Sequence, residues 1–426
     1  MTKNDDAWEK LFEKFDILDN IEKNGRFVIS APQIKEVREP RLMVKFDYEN
    51  QLPKIFSENK LAILPINRGK YVISKFKAYH KLDEKSKEII NEVKFPKCIE
   101  SIDFNNIKGE TQALNSAYIA GILADFLGDK KIYPTVEGRM SSGKFDFNIL
   151  DISETSTMDV SIDNSQIEID GAYEGLDFLA LIEVKTEYPE NFLVRQLYYP
   201  FITWKRCVEK EVKTIFLVYS NGIFSLYEYV FSNESCYNSL KLIKQANYSI
   251  IDGEIEIADI ELIANKVQII LESNIPFPQA DNFERLISLC ELLKEIKLTK
   301  DEITEKYSFN MRQSYYYTSA GMYLGLIDRN HINGKVCFSL TKKGNKIFDL
   351  PLKQRQLELV KCILEHKVFL NIFKLWLEKI ETPSLDDCVH IMKEIGIYNV
   401  DSEETLRRRA RTVLRWLEWI MDLKNI

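Results

Sequence analysis

Asp170, Glu183 and Lys185 are residues whose types and spacing can do chemistry. Two carboxylates offer the hard oxygen donors that suit Mg²⁺, and an amine beside them can meet a water or a phosphate. Glu183 and Lys185 lie two apart, so a strand turns both to one face and Val184 to the other. Asp170 closes an apolar segment containing Ile167 and Ile169, and a Gly-bearing turn from Gly171 to Gly175 separates it from Phe178, Leu179, Ala180, Leu181 and Ile182. The pattern predicts a hairpin that brings the Asp170 carboxylate beside Glu183. The run from Phe178 to Ile182 is too apolar for an exposed edge and reads as the central strand of a mixed sheet. The bland alternative, a solvated strand end and a turn residue, fits the three residues alone.

Asp170, twelve intervening residues, then Glu183-Val184-Lys185 resembles the PD-(D/E)xK nuclease signature. Ile169 stands where that signature has proline. The resemblance implies that Asp170 and Glu183 coordinate Mg²⁺, while Lys185 orients or deprotonates the attacking water and stabilises charge on the phosphate. It further implies an acid on a helix before the sheet that helps hold the metal or its water, for which Glu110 is the candidate, and a glutamine-like residue facing the site, for which Gln196 is the candidate. The product ends would be a 5′-phosphate and a 3′-hydroxyl.

The elements that must position these groups follow from periodicity. A helix is expected from Gly109-Glu110 to Leu127-Gly128, with Leu114, Ala117, Tyr118, Ile122 and Leu123 along one side. Val136 to Lys144 reads as a flexible polar loop in which Arg139 and Lys144 can meet a phosphate, followed by strands at Phe145 to Leu150 and Thr157 to Ile162. After Tyr188-Pro189 a helix from Asn191 to Glu209 carries Gln196 near its start and a kink at Pro200. A strand from Thr214 to Tyr219 and an Asn221-Gly222 turn into Phe224 to Val230 complete the αβββαβ order of the PD-(D/E)xK core.

Upstream, an amphipathic helix is expected from Asp6 to Leu18, and strands at Arg26 to Ser30, Leu42 to Phe46, Leu61 to Pro65 and Tyr71 to Phe76. Gln33, Lys35, Arg38, Glu39, Arg41, Lys45, Arg68 and Lys70 mix groups of the kind that meet phosphates and base edges, although surface cations are usually only solvated. Residues 30–46 and 61–73 are similar to the N-terminal module of a group of type II restriction enzymes. Downstream, helices from Asp281, from Leu298 and from Ser308 to Leu324, then strands around an Asn333-Gly334 turn, look like a winged helix-turn-helix. Its recognition helix would begin with Arg312, Gln313, Ser314 and Tyr315. A protein-interaction winged helix is the rival reading. From Gln354 the chain reads as helical, and its last helix sets an apolar face of Leu406, Val413, Leu417 and Ile420 against a basic one bearing Arg407, Arg408 and Arg411. Acidic Glu403 and Glu404 leave a solvated face possible.

The 426 residues suit roughly two to four domains. Hydrophobic residues at 45% and charged residues at 29% are globular values. A net charge of −7 does not advertise a nucleic-acid binder, so the placement of cations matters more than their sum. The 7 cysteines form no Cys-x-x-Cys pair and read as reduced core thiols, and the 4 histidines share no zinc spacing. No apolar run reaches membrane length, and Met1 to Asp16 lacks the apolar core of a secretory signal, so a cytoplasmic location without membrane attachment is expected.

The reading is a multidomain α/β and α+β protein: an N-terminal α+β module (1–97), a PD-(D/E)xK nuclease domain (98–262), a winged helix-turn-helix domain (263–352) and a basic C-terminal helical domain (353–426). The expected activity is Mg²⁺-dependent, type II restriction cleavage of double-stranded DNA. A homodimer on duplex DNA and a protecting DNA methyltransferase are the expected partners. Cleavage of modified DNA, or a catalytically inactive DNA-binding regulator or phage-defence protein, are the alternatives.

Overall fold

The computed structural model describes residues 3–83, 90–104, 107–250, 255–272, 274–306, 311–332, 334–379, 381–398, 400 and 402–423. Expected features at 84–89, at 308–310 and at Asn333 lie outside these residues. The chain is a mixed α/β, multidomain protein.

At the N-terminus, α1 (Lys3–Lys14) and α2 (Ile17–Asn24) replace the single expected helix. Asp16, in the left-handed region at φ 48°, breaks the helical run between them. Strand β1 (Phe27–Ser30) leads to short helices α3 (Ala31–Lys35), α4 (Pro40–Met43) and α5 (Lys54–Glu58). The strand expected at Leu42 to Phe46 is therefore absent: Pro40, with its fixed φ, starts a helical turn instead. Strands β2 (Ala62–Asn67) and β3 (Lys70–Ser74) complete a three-stranded sheet in the order β1-β3-β2 around a core that includes Trp8, Phe12 and Phe56.

A short strand β4 (Tyr79–Lys81) and the edge strand β5 (Asn91–Val93) precede the central module. There the expected helix is two, α6 (Glu110–Ile119) and α7 (Ile122–Leu127), divided by Gly121 at φ 80°. Seven strands follow: β6 (Tyr133–Ser141), β7 (Lys144–Leu150), β8 (Thr157–Asp163), β9 (Gln166–Glu174), β10 (Phe178–Lys185), the short β11 (Asn191–Leu193) and, beyond helix α8 (Arg195–Lys205), β12 (Glu211–Ser220). β13 (Ile223–Phe231) and β14 (Leu240–Ile250) end the module. The main sheet has the order β5-β14-β13-β12-β10-β9-β6. β7 and β8 pair with each other in a separate two-stranded sheet, so they are an inserted hairpin and not members of the central sheet.

Every residue of β10 is buried, as its apolar run requires. It runs antiparallel to β9 and parallel to β12, and a parallel neighbour needs a crossover, which α8 supplies. Ala180, Ile182 and Val184 pack under α6 and α7 on one face; Leu179 and Leu181 pack with α8 and the inserted hairpin on the other. The β12–β13 turn has Asn221 at φ 55° and Gly222 at φ 75°, the two positive angles that a two-residue hairpin turn demands.

The C-terminal part contains α9 (Ile257–Lys266), α10 (Phe283–Glu295), β15 (Leu298–Thr299), α11 (Lys300–Lys306), α12 (Met311–Tyr323), β16 (Ile327–Ile332) and β17 (Lys335–Leu340), then α13 (Lys342–Phe348), α14 (Leu352–Leu364), α15 (Lys367–Lys379), α16 (Leu385–Ile395) and α17 (Glu403–Asp422). One continuous apolar core joins residues of α10, α12, α14, α15 and α17. The divide expected at 352 and 353 thus crosses a shared core.

Candidate active site

The expected hairpin is present, and its register decides the geometry. Gly171 lies opposite Ile182, so Asp170 and Glu183 come next on the opposite face from α6. The Val184 N–H donates to Asp170 Oδ2 at 2.8 Å, which fixes that carboxylate against the end of β10. Lys185 Nζ donates to Glu183 Oε1 at 2.7 Å. Gln196, the second residue of α8, donates its Nε2 to the same Oε1 at 2.5 Å. Glu110 opens α6, and its Oε1 is 3.7 Å from Lys185 Nζ. All five residues expected at the site therefore lie together.

Two positions let this happen. A Cβ on Gly171 would meet Leu114 Cδ2 at 2.6 Å, so the absent side chain lets α6 lie close on the sheet and brings Glu110 to the site. The loop after β10 and strand β11 then carry the chain into α8 with Gln196 aimed back at Glu183.

Electrostatics set the protonation. Glu183 is 8% exposed, and burial pushes its carboxyl up to about 8, against the pull of Lys185 and with the help of Asp170. Burial also raises Asp170, opposed by the Val184 N–H and by Lys185. Glu110, about half open along its side chain, is raised chiefly by partial burial, opposed again by Lys185 and helped by Asp170. Burial alone would lower Lys185, but Glu183, Asp47 and Glu110 outweigh it and hold the ammonium charged.

The sequence reading missed what the N-terminal module adds. Asp47 acts on Glu183, Lys185 and Glu110 from across the module boundary. Buried Tyr48 hydrogen-bonds Glu187, just past Lys185. The segment is held there because Leu193 N–H donates to Asp47 O at 2.9 Å and Glu49 N–H to Asn191 Oδ1 at 2.8 Å. One acid among the 65 acidic residues carried no signal of such a place. A cleft of about 1240 Å³ opens beside Lys185, Glu187 and Glu110, and Arg38, Arg41, Lys45, Lys294 and Arg355 also line it.

The remaining expected residues are scattered. Val136 to Ser141 is the edge strand β6 and not a loop; Arg139 pairs across it with Glu168 at 3.2 Å, and Lys144 pairs with Asp163 at 3.3 Å. Each is matched to the acid opposite it in register, so the expected polar loop is a paired strand edge that leaves both cations exposed. Gln33 caps α3 by accepting from Ser30. At the start of α12, Gln313 Nε2 donates to Glu190 Oε1 at 2.7 Å, on the loop beyond Lys185, and Arg312 Nε donates to the Tyr316 hydroxyl at 2.6 Å. Tyr315 is 50% exposed. On α17, Arg407 pairs with Asp386 at 2.7 Å and with Glu403 at 3.5 Å, whereas Arg408 and Arg411 are exposed. Cys290, Cys362 and Cys388 are buried free thiols, but Cys98 and Cys207 are exposed and not core residues.

Among the described residues, no three His, Cys, Asp or Glu side chains gather as a metal-holding group. Asp170 and Glu183 still fit Mg²⁺ as a pair, because that ion commonly takes one or two carboxylates and fills its shell with water and substrate phosphate. Gln196 Oε1 is buried without a hydrogen-bond partner among the described residues, an oxygen free to accept from such a water. No helix of the described residues is long and apolar enough to cross a membrane.

Three family models match successive parts of the chain, each described as a domain of unknown function: DUF6996 over residues 5–73, DUF6997 over 74–249 and DUF7226 over 285–425. Asp170, Glu183, Lys185, Glu110 and Gln196 all fall in the middle one. No curated protein and no solved structure matches the chain.

Proposed function

We propose that the chain is a Mg²⁺-dependent endonuclease of the PD-(D/E)xK kind that hydrolyses phosphodiester bonds of double-stranded DNA, in the manner of a type II restriction enzyme. The observation that carries this reading is the convergence on Glu183: Lys185 and Gln196 both donate to its Oε1 while Asp170 stands opposite on β9. With the β7–β8 hairpin taken as an insertion, α6, β6, β9, β10, α8 and β12 follow the αβββαβ order. Helices α10, α11 and α12 with the sheet β15-β17-β16 suit a winged helix-turn-helix beside this core.

When bound, Mg²⁺ would polarise a phosphoryl oxygen and acidify a water, with Asp170 and Glu183 as its protein ligands. Lys185, held cationic, neutralises charge that builds on the phosphoryl oxygens as the P–O bond breaks. Gln196 orients the Glu183 carboxylate, and Glu110 with Asp47 keeps the lysine charged. Hydrolysis adds water across the P–O bond and leaves a phosphate and a hydroxyl end.

A second reading, a catalytically silent DNA-binding protein, is favoured by the lack of a three-donor group among the described residues. Incubating the protein with methylated and unmethylated plasmid, in Mg²⁺ and in EDTA, separates them. Mg²⁺-dependent linear product supports the endonuclease, and the substrate that is cut tells restriction from modification-dependent cleavage. Intact plasmid of both kinds supports the silent binder.

A further inference from the structure

Where α12 meets α17, two arginines converge without a carboxylate. With the Gln279 amide turned to satisfy its contacts, its oxygen accepts from Arg409 Nη1 at 3.0 Å, Arg409 Nη2 at 2.9 Å and Arg408 Nη2 at 3.0 Å, and its nitrogen donates to the Tyr316 hydroxyl at 3.0 Å. Neither Arg408 nor Arg409 makes an ion pair among the described residues, although Arg407 and Arg415 on the same helix each find an acid. Two like charges thus share one neutral oxygen. Burial, together with the neighbouring Arg408, pulls the Arg409 guanidinium down to about 10, and its Nε is buried with no partner among the described residues. In a chain of net charge −7 an acid for this place would be easy to supply, so the arrangement is one that a bound anion completes.

We propose that Arg408, Arg409 and Gln279, with Tyr315 and Tyr316 beside them, form a binding site for the phosphodiester backbone of a nucleic acid. Paired guanidinium groups match phosphate oxygens bidentately. The aromatic surroundings favour a nucleic acid over an acidic peptide: the Tyr315 ring is half exposed and lies 6.2 Å from that of Tyr316, whose face Arg312 covers at 5.4 Å. An exposed ring next to a phosphate site is a stacking platform for a base. The expected recognition helix, at the start of α12, and the basic face expected along α17 meet here in one place. This site shares with the hydrolytic reading only its class of ligand, and it stands whether or not a strand is cut.

The test is fluorescence anisotropy of the full-length protein with a labelled duplex and the matching single strand, in EDTA, across a range of salt. Removal of two phosphate contacts by R408Q/R409Q flattens the slope of log affinity against log salt by about two for duplex, with roughly tenfold weaker binding. R408Q alone, at an exposed position that folding tolerates, flattens it by about one, and R415Q leaves it unchanged. An unchanged slope in R408Q and in the double variant overturns the site. Polyglutamate that displaces DNA at equal charge overturns the assignment to nucleic acid. Equal slope changes on duplex and single strand, or a change confined to the duplex, support a backbone site; a duplex slope that stays unchanged overturns it.

Discussion

Val184 and Asp170 are joined across the β9–β10 hairpin by a 2.8 Å hydrogen bond from the Val184 N–H to Asp170 Oδ2. The bond uses the one residue of the Glu-Val-Lys triplet whose side chain faces away from the site. Backbone and side chain therefore divide the work: Val184 anchors one acid through its amide, while Glu183 and Lys185 present the other acid and the amine.

The packing of Gly171 yields the first prediction. Gly171→Ala places a methyl against Leu114 and must shift α6, which carries Glu110. Overpacking of this kind costs about 1–3 kcal/mol. Chemical denaturation should show that loss together with reduced cleavage; unchanged stability would mean that Leu114 simply rotates away.

Protonation of Glu183 yields the second. Its folded carboxyl sits at about 8, above the ordinary value near 4.3, so the folded state holds the proton more tightly than the unfolded one. Stability from this group is full at low pH and is lost as pH rises through about 8. Glu183→Gln cannot ionise, so its melting temperature should gain on the parent between pH 6 and pH 8.5. Mg²⁺ competes with the same proton, and calorimetry should find its affinity rising across that window. A flat difference in melting temperature would contradict the burial argument.

Glu190 supplies the third. Its Oε1 accepts from Arg285 at 2.5 Å and from Gln313 at 2.7 Å, bridging the loop after Lys185 to α10 and α12. Arg285 is only 2% exposed, so removal of its carboxylate leaves a buried cation poorly matched. Glu190→Gln should cost about 1–3 kcal/mol by thermal or denaturant melting. A neutral result would show that the bridge contributes little to docking.

Much of the candidate site was legible because its determinants are local. The alternation at 183–185, the Gly-bearing turn and the apolar run of β10 fix a hairpin without distant information. Strand β6 was read as a loop because it is an edge: its exposed face and its Gly and Ser residues carry no apolar alternation, and only pairing with β9 makes it a strand. The β7–β8 hairpin looked like part of the central sheet because strand sequence does not encode its neighbours. Asp47 and Tyr48 were invisible for a similar reason, since their place depends on contacts with Leu193 and Glu187, far along the chain.

The most direct measurement is cleavage of duplex DNA in Mg²⁺ by the parent, Glu183→Ala and Lys185→Ala, with binding measured in parallel in EDTA. The account predicts that the parent cuts, that each variant cuts at least about a hundredfold more slowly, and that all three bind DNA alike. Cleavage by the variants at the parent's rate would contradict it.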